Sequence, residues 1–93
     1  MNCKAKGTRA EHRAMRILEA AGYACCRSAA SLGAFDIIAM NRLGLRCVQV
    51  KSGTARVSPV EREQMLAVPR PENASVEVWR FPDRARAPLI DVL

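Results

Sequence analysis

Phe35-Asp36-Ile37-Ile38-Ala39-Met40 and Arg46-Cys47-Val48-Gln49-Val50-Lys51 are two apolar runs separated by a short polar turn. They read as an antiparallel hairpin turning around Asn41–Gly44. In such a ladder, paired residue numbers should sum to about 85. Asp36 and Gln49 meet that condition, so the reading places them opposite each other. Lys51 follows Gln49 by two and points to the same face, because side chains alternate along a strand. A buried hairpin has little structural reason to gather an acid, an amide and a lysine at one end of one face. A metal-dependent active site has one.

The rest of the chain is read outward from that hairpin. Thr8–Ala21 has the pattern of a helix, with Ala10, Ala14, Ile17, Leu18 and Ala21 on one face. Gly22 is a natural stop. Glu11 has two readings. Thr8 and Glu11 have the spacing of a capping box, and Glu11 also stands one turn into the helix as a candidate metal carboxylate. Residues 1–6 read as a basic, flexible N-terminus whose Lys4 and Lys6 either reach a phosphate backbone or are solvated. Tyr23–Arg27 reads as a strand, and 28–33 as a small-residue loop.

Beyond Lys51, a polar loop leads to a second helix. Ser58 is its N-cap, Pro59 its first residue and Glu61 the box partner. It should run to about Ala67, before Pro69. On it, Glu61, Arg62 and Glu63 read as a solvated face. Val76–Phe81 reads as a strand, with Val76, Val78 and Arg80 on one face and Glu77, Trp79 and Phe81 on the other. Leu89–Leu93 would add a short edge strand after the basic loop 82–88. The order α-β-β-β-α-β describes one small α/β domain over 1–93, a mixed β-sheet flanked by helices.

Composition narrows the function. The 93 residues carry 15 Lys and Arg against 9 Asp and Glu, a net charge of +6. That balance suits a polyanionic partner such as DNA. Aromatics make up only 4%, which argues against a stacking platform for single strands. The four cysteines, Cys3, Cys25, Cys26 and Cys47, form no C-x-x-C, and His12 is the sole histidine, which argues against zinc. Reduced thiols and no visible signal peptide give a cytoplasmic expectation. No apolar run is long enough to span a membrane.

Four short motifs occur in order: Lys6-Gly7-Thr8-Arg9-Ala10-Glu11, Cys26-Arg27-Ser28-Ala29-Ala30-Ser31, Phe35-Asp36-Ile37-Ile38-Ala39 and Gln49-Val50-Lys51-Ser52. Together they resemble the PD-(D/E)XK nuclease superfamily, and are most similar to its archaeal-type Holliday-junction resolvases. The resemblance covers residues 6 to about 64. It implies a restriction-endonuclease-like fold and a Mg²⁺-dependent endonuclease, with Mn²⁺ as a substitute. The implied form is a homodimer acting on branched DNA.

Carried over, Asp36 is the central metal ligand, Glu11 and Gln49 complete the shell, and the Val50 carbonyl adds a further ligand. Lys51 orients the attacking water or steadies charge on phosphorus, and Ser31 lies near the scissile phosphate. Lys4, Lys6, Arg9, Arg27 and Arg56 are the expected DNA contacts. Gln49 departs from the family's E-x-K pattern, removing a negative charge and implying weaker metal affinity. Phe35 stands where the resolvases often carry Pro. Two alternatives follow: a restriction- or repair-type (Mrr-like) nuclease on duplex DNA, and a DNA-binding homologue whose catalysis has weakened.

Overall fold

The computed structural model describes the backbone of residues 3–27 and 34–93, and the side chains of 8–27 and 34–93. The elements are α1 (Cys3–Ala20), β1 (Ala24–Arg27), β2 (Ile37–Asn41), β3 (Gly44–Ser52), α2 (Pro59–Ala67), β4 (Ala74–Phe81) and β5 (Leu89–Val92). The five strands form one sheet in the order β1-β2-β3-β4-β5. Among the described strands, only β3 and β4 pair in parallel, because the helix α2 carries the chain across between them. The sheet is therefore mixed, and β3, which bears Gln49 and Lys51, is its middle strand.

The hairpin has the expected register: Ile37 pairs with Val48, Ala39 with Arg46 and Asn41 with Gly44. The turn explains why. The Asn41 side-chain oxygen accepts from the backbone N–H of Leu43 and of Gly44, an Asx-type turn. A Cβ on Gly44 would run into the Asn73 carbonyl oxygen, so this position requires glycine. β2 begins at Ile37, so the ladder ends one pair short of Asp36 and the expected strand start at Phe35 is too early.

Each face of the sheet has its own core. On one, Ala10, Ala14 and Leu18 of α1 pack on Ile37, Ala39, Val48, Val50, Trp79 and Phe81. On the other, Met65 of α2 packs with Phe35, Cys47, Val76 and Val78. The expected alternation of β4 holds, and Trp79 and Phe81 are core residues. Leu18 is fully buried, so its truncation to Ala would cost about 2–5 kcal/mol. The α2 start is as read: the Ser58 and Glu61 box is closed in both directions, with Pro59 in the first turn.

Two expectations for the N-terminal region need correction. The first helix starts at Cys3, so Cys3–Lys6 are helical rather than a tail, and Thr8 and Glu11 lie in the helix body rather than at a cap. The sequence signal T-x-x-E was real, but the backbone N–H groups it would have capped are satisfied within the helix. No helix among the described residues is long and apolar enough to cross a membrane.

Candidate active site

One end of the sheet collects the chemistry. The α1 N-terminal half supplies Glu11, the end of β1 supplies Arg27, and the residue entering β2 is Asp36. The end of β3 supplies Gln49, Val50 and Lys51, and the first turn of α2 supplies Glu61.

Asp36 is half-buried where it leaves the ladder. Its backbone N–H donates to the Val48 carbonyl at 2.9 Å. Its carboxylate Oδ2 accepts from the Val50 N–H at 2.8 Å. Burial pushes this carboxyl above its ordinary range; the Val50 N–H pulls it down, the Glu11 charge pushes it up again, and Lys51 and Arg27 oppose. The net displacement is upward. Glu11, Lys51 and Arg27 are thus all near enough to act on the Asp36 charge; of these, the hairpin register anticipated Lys51.

Glu11 is not a cap. Its Oε1 accepts from Arg27 Nε at 2.7 Å, and Arg27 Nη2 reaches Thr8 Oγ1 at 3.5 Å. Arg27 thus ties the α1 flank to the end of β1 and sets Glu11 beside Asp36. Lys51 is mostly buried, with 18% of its side chain exposed, and its Nζ donates to Glu61 Oε2 at 2.9 Å. Glu61 Oε1 meanwhile accepts from the Ser58 N–H at 3.0 Å. The Ser58 N–H and Lys51 hold the Glu61 carboxyl below its usual range. Sequence reasoning placed Glu61 on a solvated face. Its position in the box was legible; its reach to Lys51 depends on how α2 docks, which spacing alone does not encode.

The other named residues divide. Gln49 is half-buried on the central strand, in register with Val78 of β4. Arg9 is exposed on α1. Arg56 stands apart, in a groove on the α2 side with Arg62, Arg80 and Asp91. Lys4 and Lys6 fall within α1 but their side chains lie outside the described residues, as does Ser31 entirely.

Among the described residues, no three His, Cys, Asp or Glu side chains converge as a metal cluster. The candidate donors are the carboxylates of Glu11 and Asp36, with the neutral amide oxygen of Gln49. Hard oxygen donors fit a cation such as Mg²⁺, which retains several waters and relies on substrate phosphate for part of its shell.

A second polar cluster, which the sequence reading missed, lies on the α1 face of the sheet, opposite the face that carries Gln49 and Lys51, and toward the start of β3. Glu77 is only 2% exposed. It accepts from Arg46 Nε at 2.8 Å and Nη2 at 2.7 Å, from Ser75 Oγ at 2.6 Å and from Trp79 Nε1 at 2.9 Å. Arg46 also lies against the rings of Tyr23 and Trp79. The signal was present: Glu77 alternates onto the Trp79 face, and a buried acid demands a partner.

Comparison with known proteins agrees with this layout. Residues 2–69 match the family described as archaeal Holliday junction resolvase (Hjc). The structure resembles that of Archaeoglobus fulgidus Hjc, a Holliday junction resolvase from an archaeal hyperthermophile. The TM-score is 0.78 and the identity 30%, covering 94% of this chain and 72% of that one. No curated protein sequence matches.

Proposed function

The chain belongs to the archaeal Holliday junction resolvase family, structure-selective DNA endonucleases, and from that premise we propose that it cuts four-way DNA junctions with Asp36 at the centre of a divalent-metal site. The observation that carries the proposal is Asp36 itself. It is a half-buried carboxylate given one backbone donor, held above its ordinary range, and set beside Glu11 and Lys51. A carboxylate meant only for structure would be paired outright; this one keeps acceptor capacity for a cation.

In this reading Asp36 and Glu11 hold the metal, with Gln49 and the Val50 carbonyl contributing neutral oxygens. Mg²⁺, or Mn²⁺ in its place, would supply polarisation of the phosphoryl oxygen and a bound water of lowered pKa. The Val50 N–H fixes the Asp36 carboxylate so that one oxygen faces the site. Lys51 provides a fixed positive charge where the phosphorane gains negative charge, and Glu61 holds its ammonium in place. Arg27 keeps Glu11 aimed at the site, and Arg9, Arg27, Arg56, Lys4 and Lys6 meet DNA phosphates; Ser31 acts near the scissile phosphate. Two symmetric copies suit the two cuts a junction needs, and the exposed Leu89, Ile90 and Val92 of edge strand β5 support a homodimer. A cytoplasmic setting accords with this activity and with cysteines kept as thiols.

The test is cleavage of a four-way junction and of a linear duplex across a Mg²⁺ and Mn²⁺ titration, with Asp36→Asn as control. Junction-selective, metal-dependent cutting that the control abolishes is expected. Equal cutting of both substrates would favour the duplex nuclease, and binding without cutting would favour a DNA-binding homologue.

A further inference from the structure

The loop 82–88 between β4 and β5 carries Arg84 and Arg86, both exposed, and the site chemistry above makes no use of it. Three features distinguish it from an ordinary solvated connection. It is clamped: Arg13 of α1 donates through Nη2 to the carbonyls of Ala85 at 3.2 Å and Arg86 at 3.1 Å, and its guanidinium lies 4.8 Å over the Phe81 ring. It is sharply turned: Arg84 has φ 65, in the left-handed region where an arginine is disfavoured. It also walls a groove of about 190 Å³ with Arg9, Arg13, Ser52, Phe81 and Asp83. Ser52 follows Lys51 directly, so the groove opens at the active end of the sheet. Three arginines against one aspartate leave it net positive.

Helix α1 therefore has two working flanks. Thr8 and Glu11 lean toward β1 and the candidate metal site, while Arg9 and Arg13 lean toward β4 and this loop. We propose that the β4–β5 loop is a second DNA-contacting arm, in which Arg84 and Arg86, with Arg9 across the groove, bind backbone phosphates of a duplex arm leaving the cleavage site on the β4 side. Arg13 is the positioning residue that holds the loop in place. The guanidinium fork suits phosphate recognition, and such contacts are sequence-independent. The proposal rests on the nuclease reading above and adds to it the path that one arm takes.

The experiment is anisotropy binding of the full chain to a four-way junction in EDTA, over a range of salt. Arg84→Gly suits the left-handed backbone, so it removes the side chain without unfolding the loop; its melting temperature should hold or rise. Each lost phosphate contact should make the slope of log K against log[salt] shallower by about 1. Arg84→Gly with Arg86→Ala should thus lose about 2 slope units. Arg13→Lys keeps the charge but not the two-carbonyl clamp, and should also weaken binding. Arg42→Ala removes one equal charge at the hairpin turn, on the opposite end of the sheet, and should stay within about twofold of wild type and keep its slope. An unchanged slope in the loop double variant, or a loss from Arg42→Ala equal per charge, overturns this arm and leaves the nuclease reading standing. Failure of the wild type to bind any DNA overturns both.

Discussion

A buried acid and a half-buried one at this sheet are treated in opposite ways. Glu77, at the end where β3 begins, receives four hydrogen bonds from three side chains, Arg46, Ser75 and Trp79. Burial pushes its carboxyl up, but Arg46, Ser75 and Trp79 together outweigh that and hold it below the usual range. Asp36, at the end where β3 finishes, receives one backbone donor, has Glu11 close by, and is held above the usual range. The first acid is neutralised by the protein's own groups. The second has one backbone donor and, in the proposed function, keeps acceptor capacity for a cation. The difference separates an acid that stabilises the fold from one that the fold stabilises at some cost, as functional carboxylates are.

The sharpest break of that contrast is Asp36→Asn. The amide oxygen still accepts the Val50 N–H, so the backbone geometry survives while the charge goes. Cleavage should fall by about 10³-fold or more, with junction binding in EDTA nearly unchanged. Stability should move the other way. A carboxyl whose folded pKa is raised favours the native state while protonated, and loses that contribution as pH rises from the unfolded value through the folded one. At pH 7 without metal, ionised Asp36 is therefore a penalty. Its removal should raise stability, seen as a higher melting temperature. A variant that lost activity and stability together would mark Asp36 as a structural acid like Glu77.

At the other end, Glu77→Gln should leave the partly buried Arg46 charge without its partner and cost about 3 kcal/mol. For a chain of this size that lowers the melting point by about 12 °C or more. Replacing both partners, Arg46→Met with Glu77→Leu, should recover most of the loss, because the cost lies in the orphaned charge rather than in the pair. The pH sign also reverses. The folded pKa of Glu77 is depressed, so its contribution is present above the unfolded carboxylate value and is lost as pH falls through the folded one. Acid unfolding of wild type should show a stabilising contribution that the double variant lacks. Specific activity of folded Glu77→Gln should stay within about twofold of wild type, because nothing at the far end touches the site.

Gln49→Glu sharpens the contrast by adding charge at the open end. A third carboxylate should lower the metal concentration for half-maximal stabilisation, read by thermal shift, by about tenfold. Without metal, the same variant should lose about 0.5 kcal/mol or more through repulsion with Asp36. No change in metal dependence would place Gln49 outside the shell.

How much of this was legible depends on how local each signal is. The hairpin register followed from the Asn41–Gly44 turn, and the α2 start from Ser58, Pro59 and Glu61, because both are decided within a few residues. The alternation of β4 correctly put Trp79 and Phe81 in one core. The start of α1 was misplaced because T-x-x-E describes a local preference, and Arg27, sixteen residues on from Glu11, claimed the same carboxylate. The Arg46–Glu77 pair was missed for a related reason. It joins residues that only the parallel pairing of β3 with β4 brings together, and parallel pairing requires a crossover that no local pattern records. Asp36 stood out as a candidate because it interrupts an apolar strand; the approach of Glu11 came from the family resemblance and not from the residues alone, because it depends on how α1 lies on the sheet.

Glu61 tests whether the open end of the sheet is organised by a residue that first serves folding. It closes the capping box of α2 and, through its other oxygen, holds Lys51 at 2.9 Å. Glu61→Gln separates the two tasks, because glutamine also completes a capping box but brings no charge to the lysine. The helix start should survive, with a stability change of about 0.5 kcal/mol or less for this partly exposed pair. Cleavage should fall by about three- to tenfold, mostly in kcat, because in the proposed function Lys51 acts on charge that develops only in the transition state. Glu61→Ala should add the loss of the box, about 1 kcal/mol, without a further drop in kcat. If Glu61→Gln cuts at the wild-type rate, Lys51 is held well enough by β3 alone, and Glu61 belongs with Glu77 among the acids that serve only the fold.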